Sequence, residues 1–140
     1  MSKYKNKKTK IDGIVFDSKV EGQYYLKLKD DREKGIVLHF DLQPVYELQP
    51  KFEKDGKKHR AIKIKADFRV IYAGQKKTEV VDIKGHPSEG AKLKRKMFDY
   101  MFEEKLIWLC FSKIDGGWIE YDQLIKNRKQ RKKEKNARNK

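Results

Sequence analysis

The chain has 140 residues, 36 of them Lys or Arg against 21 Asp or Glu, for a formal net charge of +15 at pH 7. That length makes a single domain, since independent domains commonly run to about 100 to 200 residues. No apolar run approaches the ~18 residues of a membrane span. The start Met1-Ser2-Lys3-Tyr4-Lys5-Asn6-Lys7-Lys8 lacks the apolar segment of a secretory signal, so a cytoplasmic protein without membrane contact is expected.

The charge is unevenly spread. Residues 1–10 hold five Lys and no acid, residues 126–140 hold nine basic side chains against Glu134 alone, and residues 11–125 carry 22 basic against 20 acidic groups. A mixed-charge domain over 11–125 is therefore flanked by basic arms at 1–10 and 126–140. Arms of that kind displace counterions from a polyanion, most often nucleic acid. Their candidate DNA contacts are Lys7 and Lys8 in the first and Arg128, Lys129, Arg131, Lys132 and Lys133 in the second. The lone cysteine, Cys110, excludes an intrachain disulfide and a cysteine zinc finger. It lies in the apolar run Leu106-Ile107-Trp108-Leu109-Cys110-Phe111 and reads as a buried thiol.

In chain order, Ile11-Asp12-Gly13-Ile14-Val15-Phe16 reads as a hairpin turning at Asp-Gly. Ser18 and Glu21 fit a capping box, and Val20, Tyr24 and Leu28 recur at helical spacing up to Gly35, which predicts a helix over 18–34. Strands follow at 37–43 and 45–52, then a turn at Asp55-Gly56 and a long strand over 61–72 ended by Gly74. Thr78 to Lys84 is a further strand, stopped by Gly85. Residues 89–105 read as a helix with Leu93, Met97 and Met101 on one stripe and Lys92, Arg95 and Lys96 beside it. That helix is a candidate cradle for a duplex backbone, or equally a solvated face. Residues 106–111 suit the buried centre of a sheet. Asp115-Gly116-Gly117 turns, Trp118 to Tyr121 adds a short edge, and Asp122 is placed to cap a last helix that dissolves into the basic tail. The order predicts a single α/β or α+β domain on a mixed sheet flanked by helices.

The chemistry concentrates in one place. Asp82 and Lys84, two apart on a strand, leave the same face, and Ile83 points the other way. Folding the strands about Gly74 brings Asp67 level with them, so two carboxylates and an amine can share a site. Oxygen donors suit a hard divalent cation such as magnesium, and a metal against a phosphodiester supplies hydrolytic chemistry. Lys84 could orient the water or neutralise charge on phosphorus. Glu21 could complete the shell if its helix packs beside the strand ends, or serve only as the capping-box partner. Gln43 and Gln49 could reach the site, although strand-edge amides more often serve the backbone. His39, His59 and His86 show no ligand spacing, and His86 alone stands near enough to touch a phosphate.

The set Glu21, Ala66-Asp67-Phe68 and Asp82-Ile83-Lys84-Gly85 resembles the PD-(D/E)xK nuclease superfamily, whose signature is an acidic helix residue, an Asp and an acidic-x-Lys step. The wider string Phe16-Asp17-Ser18-Lys19-x-Glu21, Leu42-Gln43-Pro44, Leu48-Gln49-Pro50-Lys51-Phe52 and Val81 to Gly85 is similar to small phage and prophage proteins of that superfamily. Those are in turn similar to Holliday-junction-resolving enzymes of the phage endonuclease I type. The resemblance spans about residues 5–112 and implies a restriction-endonuclease-like core. It further implies Mg2+ or Mn2+ on Asp67, Asp82 and Glu21, Lys84 as the catalytic lysine, branched duplex DNA as substrate, a homodimer, and a phage or prophage origin. Ala66 stands where the superfamily's name implies Pro, and Lys96 and Tyr100 stand where its exonuclease-type members tend to show Gln and Tyr, which favours an endonuclease. The N-terminal hairpin at residues 8–16 is the candidate exchanged or interface element. A nicking, restriction-like or end-processing nuclease would use the same site. A non-catalytic nucleic-acid-binding accessory protein would rely on the basic arms alone.

Overall fold

The structure, a computed structural model, describes residues 7–74 and 78–139. They form, in order, β1 (Thr9–Ile11), β2 (Ile14–Phe16), α1 (Lys19–Glu33), β3 (Val37–Leu42), β4 (Val45–Gln49), β5 (Phe52–Lys54), β6 (Lys57–His59), β7 (Ile62–Lys65), β8 (Phe68–Tyr72), β9 (Thr78–Ile83), α2 (Glu89–Met101), β10 (Lys105–Ser112), β11 (Gly117–Glu120) and α3 (Tyr121–Arg138). Five strands make the central sheet in the order β11-β10-β9-β8-β3. The β9–β10 pair is parallel, with α2 as its crossover, and the other neighbours are antiparallel. This is one mixed α+β domain with helices against a mixed sheet. No helix among the described residues is long and apolar enough to cross a membrane.

Strand alternation divides the core between the two faces of the sheet. On one face Phe68, Val70 and Val81 pack with Tyr24, Tyr25 and Leu28 of α1 and Phe16 of β2. On the other, Val80 and Leu106 pack with Phe98 of α2 and with Leu48 and Ile64 of β4 and β7. The β1–β2 hairpin is docked on its own α1 rather than projecting. A Cβ on Gly22 would lie 2.9 Å from Ile11 Cδ1, so a bare helix surface is what lets the hairpin approach.

Four expectations need correction. The strand over 61–72 is two strands, because the chain changes partners at Ala66-Asp67. The Ala66 N–H donates to Pro44 O, the Asp67 N–H donates to Val81 O, and Asp67 O accepts from the Gln43 N–H. Next, the buried line of α2 runs through Phe98, whereas Leu93 is 60% exposed and Met101 48%. Of the apolar stripe read from the sequence, Leu93 and Met101 thus face outward, and only Met97 packs against the core. Residues 126–138 continue α3 instead of dissolving. Arg131 and Asn127 both donate to the Asp115 carboxylate and tie the helix to the turn before β11. Finally, Asp122 does not cap this helix, and its carboxylate receives Arg95 instead. Residues 1–6 of the first arm and Lys140 lie outside the described residues.

Candidate active site

The carboxylates meet where β8 begins and β9 ends, beside the start of α1. Phe68 lies opposite Val81 in the antiparallel ladder, which brings Asp67 next to Asp82. The partner change at Ala66-Asp67 leaves the Ile83 N–H without a backbone acceptor from β8, and an Asp67 carboxylate oxygen takes it at 2.7 Å. The side chain that leads the site is therefore held in place by the ladder's own irregularity.

Glu21 arrives from the first turn of α1. Ser18 caps that helix, accepting the Glu21 N–H at 3.1 Å, and Glu21 Oε2 accepts the Asp17 N–H at 2.9 Å. The Ser18 half of the anticipated capping box is present, while the Glu21 carboxylate reaches one residue further back, to the Asp17 N–H, rather than to that of Ser18. The same Glu21 carboxyl lies within hydrogen-bonding reach of Asp67, as does that of Asp82. Glu21 is 7% exposed and Asp82 6%.

Burial, Glu21 and Asp82 together push the Asp67 carboxyl well above the usual aspartate range, because a third negative charge in this space is unfavourable. Three acids at such distances need a shared proton or a cation. Their oxygens are the donors a hard divalent ion takes, so the donor set fits Mg2+ or Mn2+. Among the described residues, no group of three or more His, Cys, Asp or Glu is arranged to hold a metal ion, so the fit is one of donor chemistry.

Lys84 lies beyond the end of β9. Its backbone N–H donates to Leu109 O, and its ammonium sits 3.2 Å from Asp82 Oδ2. The Lys84 carbonyl accepts the Cys110 thiol, which burial keeps protonated by raising its pKa. Cys110 is thus the buried thiol anticipated, and it braces the strand that carries Lys84.

A cleft of about 540 Å³ lies beside Lys84 and His86, and two smaller clefts hold the carboxylates of this junction. Of these two, Glu21, Asp67, Gln43 and Leu42 line the smaller, of about 150 Å³. Asp82, Lys84, Lys65, Lys94 and the first turn of α2 at Ser88 to Ala91 line the larger, of about 290 Å³. Gln43 has φ +50 between β3 and Pro44, a strained setting for a side chain other than Gly or Asn. Gln49 lines neither cleft.

With this geometry in place, residues 1–115 match the family described as "Protein of unknown function (DUF1064)". The chain belongs to the DUF1064 family. The matched stretch holds Glu21, Asp67, Asp82 and Lys84, and α3 lies beyond it. Neither the curated proteins nor the solved structures yield a match.

Around the DUF1064 site, the basic residues singled out from the sequence separate into two groups. Arg95 is engaged: its guanidinium is paired with both Asp122 oxygens and lies 4.4 Å from the Trp108 ring centroid, which joins α2 to α3. Arg131 is engaged likewise with Asp115. Lys7, Lys8, Lys96, Arg128, Lys129, Lys132 and Lys133 are exposed, and Lys92 is exposed while pairing with Glu89 at 3.2 Å. Lys65 and Lys94, which line the larger cleft, were not singled out from the sequence. Lys94 would have been found by setting the buried face of α2 on the aromatic pair Phe98 and Phe102 rather than on the methionines.

Proposed function

We propose that this chain is a divalent-metal-dependent endonuclease of the PD-(D/E)xK kind that hydrolyses phosphodiester bonds in duplex DNA. Branched duplex is the substrate the sequence resemblance implies. The observation that carries the reading is the meeting of Glu21, Asp67 and Asp82 from three separate elements, with Lys84 on Asp82. An acidic-x-Lys triplet that arose by chance on a strand has no reason to recruit two further acids, one buried and one half-buried.

Asp67, Asp82 and Glu21 would hold Mg2+ or Mn2+, which polarises a phosphoryl oxygen and lowers the pKa of water when bound. The protein's own side chains supply the rest. Asp67 is fixed by the Ile83 N–H and needs no reorientation. The Lys84 ammonium offsets the negative charge that builds on the phosphoryl oxygens. Meanwhile the water oxygen bonds to phosphorus and releases its proton to solvent. The bond from phosphorus to the departing sugar oxygen breaks, and that oxygen takes up a proton. Lys65, Lys94 and the first turn of α2 line the cleft where the flanking phosphates would lie.

Two cuts across a branch need two such sites, which is why a homodimer belongs to the proposal. The exposed stripe of Leu93, Tyr100 and Met101 on α2 is the candidate face. Its charges suit an antiparallel partner, because Lys92 and Lys96 precede Asp99 and Glu103 along the chain.

The test is cleavage of a synthetic four-way junction, run beside linear duplex, flap and single strand, with and without magnesium. Magnesium-dependent cutting that Lys84→Ala and Asp82→Ala abolish supports the proposal. Preference for the junction supports a resolving enzyme, and preference for linear ends supports an end-processing one. No cutting of any substrate, with DNA binding retained by every variant, leaves a non-catalytic binder.

A further inference from the structure

The register of Gln49 opposite Ile62 runs without a shift into that of Phe52 opposite His59. The β4–β7 and β5–β6 pairs are therefore one ribbon spanning residues 45–65, with a register shift between Glu47 and Gln49 and a break beside Pro50, which has no N–H to give. Its inner half is rooted, with Tyr46 packing edge-on against Phe98 and Phe102 and with Leu48 and Ile64 buried. Its outer half leaves the core. From Lys51 to Arg60 every side chain is exposed except His59, which is half-buried and stacks on Phe52 at 4.5 Å between ring centroids. Six residues per strand from Gln49 carry the tip about 20 Å outward.

The tip is preformed, and one of its two faces carries basic residues and no acid. Asp55 at φ +52 and Gly56 at φ +78 make the tight two-residue turn that matches strand twist. Alternation puts Phe52, Lys54, Lys57 and His59 on one face, with Lys54 directly opposite Lys57. Like charges in that position repel, and no acid shares the face. Among the described residues, none of Lys51, Lys54, Lys57, Lys58 and Arg60 takes part in an ion pair, whereas Lys27, Lys29 and Lys34 on α1 all do. The ribbon's root supplies the last observation, because Lys65 lines the larger cleft with Asp82 and Lys84.

We infer that the ribbon tip enters a groove of the DNA duplex beside the phosphodiester held in that cleft, with Lys54 and Lys57 on backbone phosphates. A two-stranded ribbon fits a major groove about 12 Å wide. This role rests on the nuclease reading for its substrate, and it assigns to residues 51–60 a grip on duplex that the basic termini alone would not supply.

The test is anisotropy of a labelled 30-base-pair duplex with the full chain in calcium over a salt series, with cleavage in magnesium read in parallel. Lys54→Ala/Lys57→Ala is compared with Lys27→Ala/Lys34→Ala, which removes equal charge from α1. The ribbon variant is expected to lower the log–log salt slope by about 1.8 and to weaken binding roughly 10- to 30-fold, while the α1 variant stays near wild type. Equal losses in the two variants, an unchanged slope, or an equal loss of heparin binding would overturn the groove contact. A wild type that cleaves while the ribbon variant binds normally sinks the ribbon and leaves the nuclease. A wild type that never cleaves while the ribbon variant loses duplex sinks the nuclease and leaves the ribbon.

Discussion

Asp67→Asn is expected to stabilise the metal-free protein while destroying its site. In the wild type, Asp67 is pressed between Glu21 and Asp82, and its carboxyl keeps a proton that a free aspartate, with an ordinary value of 3.8, would have lost. Holding that proton at pH 7, about three pH units above the ordinary value, costs at most about 4 kcal/mol at 1.36 kcal/mol per unit. Relaxation of the neighbours should bring the difference to about 1–3 kcal/mol. Asparagine keeps the shape and reverses the conflict. Its oxygen can still accept the Ile83 N–H, and its amide can donate to both acids. Because the folded-state value is raised, the penalty is absent below the ordinary value and grows as pH climbs towards the raised one. The gap between variant and wild type should therefore open above about pH 4 and persist at pH 8. Thermal unfolding in EDTA would read it as a gain of roughly 3–10 °C. Magnesium or manganese should then raise the midpoint of the wild type and leave the variant unmoved. A variant that melts with or below the wild type at pH 8 would refute the crowding of the three acids.

Phe98 is fully buried while Leu93 is 60% exposed, so Phe98→Ala should cost about 3–5 kcal/mol in urea unfolding and Leu93→Ala under about 1 kcal/mol. The reverse order would restore the helix phase read from the sequence. Arg131 and Ser112 hold the Asp115 carboxyl well below the usual carboxylate range. The pair should therefore stabilise α3 at every pH above the ordinary aspartate value and fail only as pH falls through the lower folded one. Asp115→Asn should remove that plateau from a plot of melting temperature against pH, and an unchanged plot would contradict it. Tyr100 is 92% exposed, so Tyr100→Glu should leave the melting temperature unchanged yet shift sedimentation towards monomer. A constant sedimentation coefficient would remove α2 as the dimer face.

The fold was legible wherever local chemistry decides it. Ser18 with Glu21, the Asp-Gly turns and the apolar run at 106–111 each led to the right element, because caps, left-handed turns and buried strands leave direct marks in sequence. The meeting of Asp67 with Asp82 was also legible, since hairpin folding about Gly74 is nearly a matter of counting. The break at Ala66-Asp67 was not. Both halves alternate well, and only the competition between β3 and β4 for partners splits them. Leu93 and Met101 misled, although Met97 between them does pack on the core, because a helix wheel does not say which of two apolar stripes the sheet will take. The helical state of residues 126–138 was hidden by their charge, although they contain no Gly or Pro and their anchor, Asp115, lies on another element. The ribbon's outer half escaped notice because its meaning depends on what it does not touch.

The most direct measurement is a manganese titration of the metal-free chain, followed by calorimetry or by loss of the free-ion electron paramagnetic resonance signal. Saturable binding with a whole-number stoichiometry per chain, lost in Asp82→Ala and Asp67→Asn while both variants remain folded, is the result expected. A folded wild type that takes up no manganese at millimolar concentration, or an Asp82→Ala variant that binds as the wild type does, would contradict it.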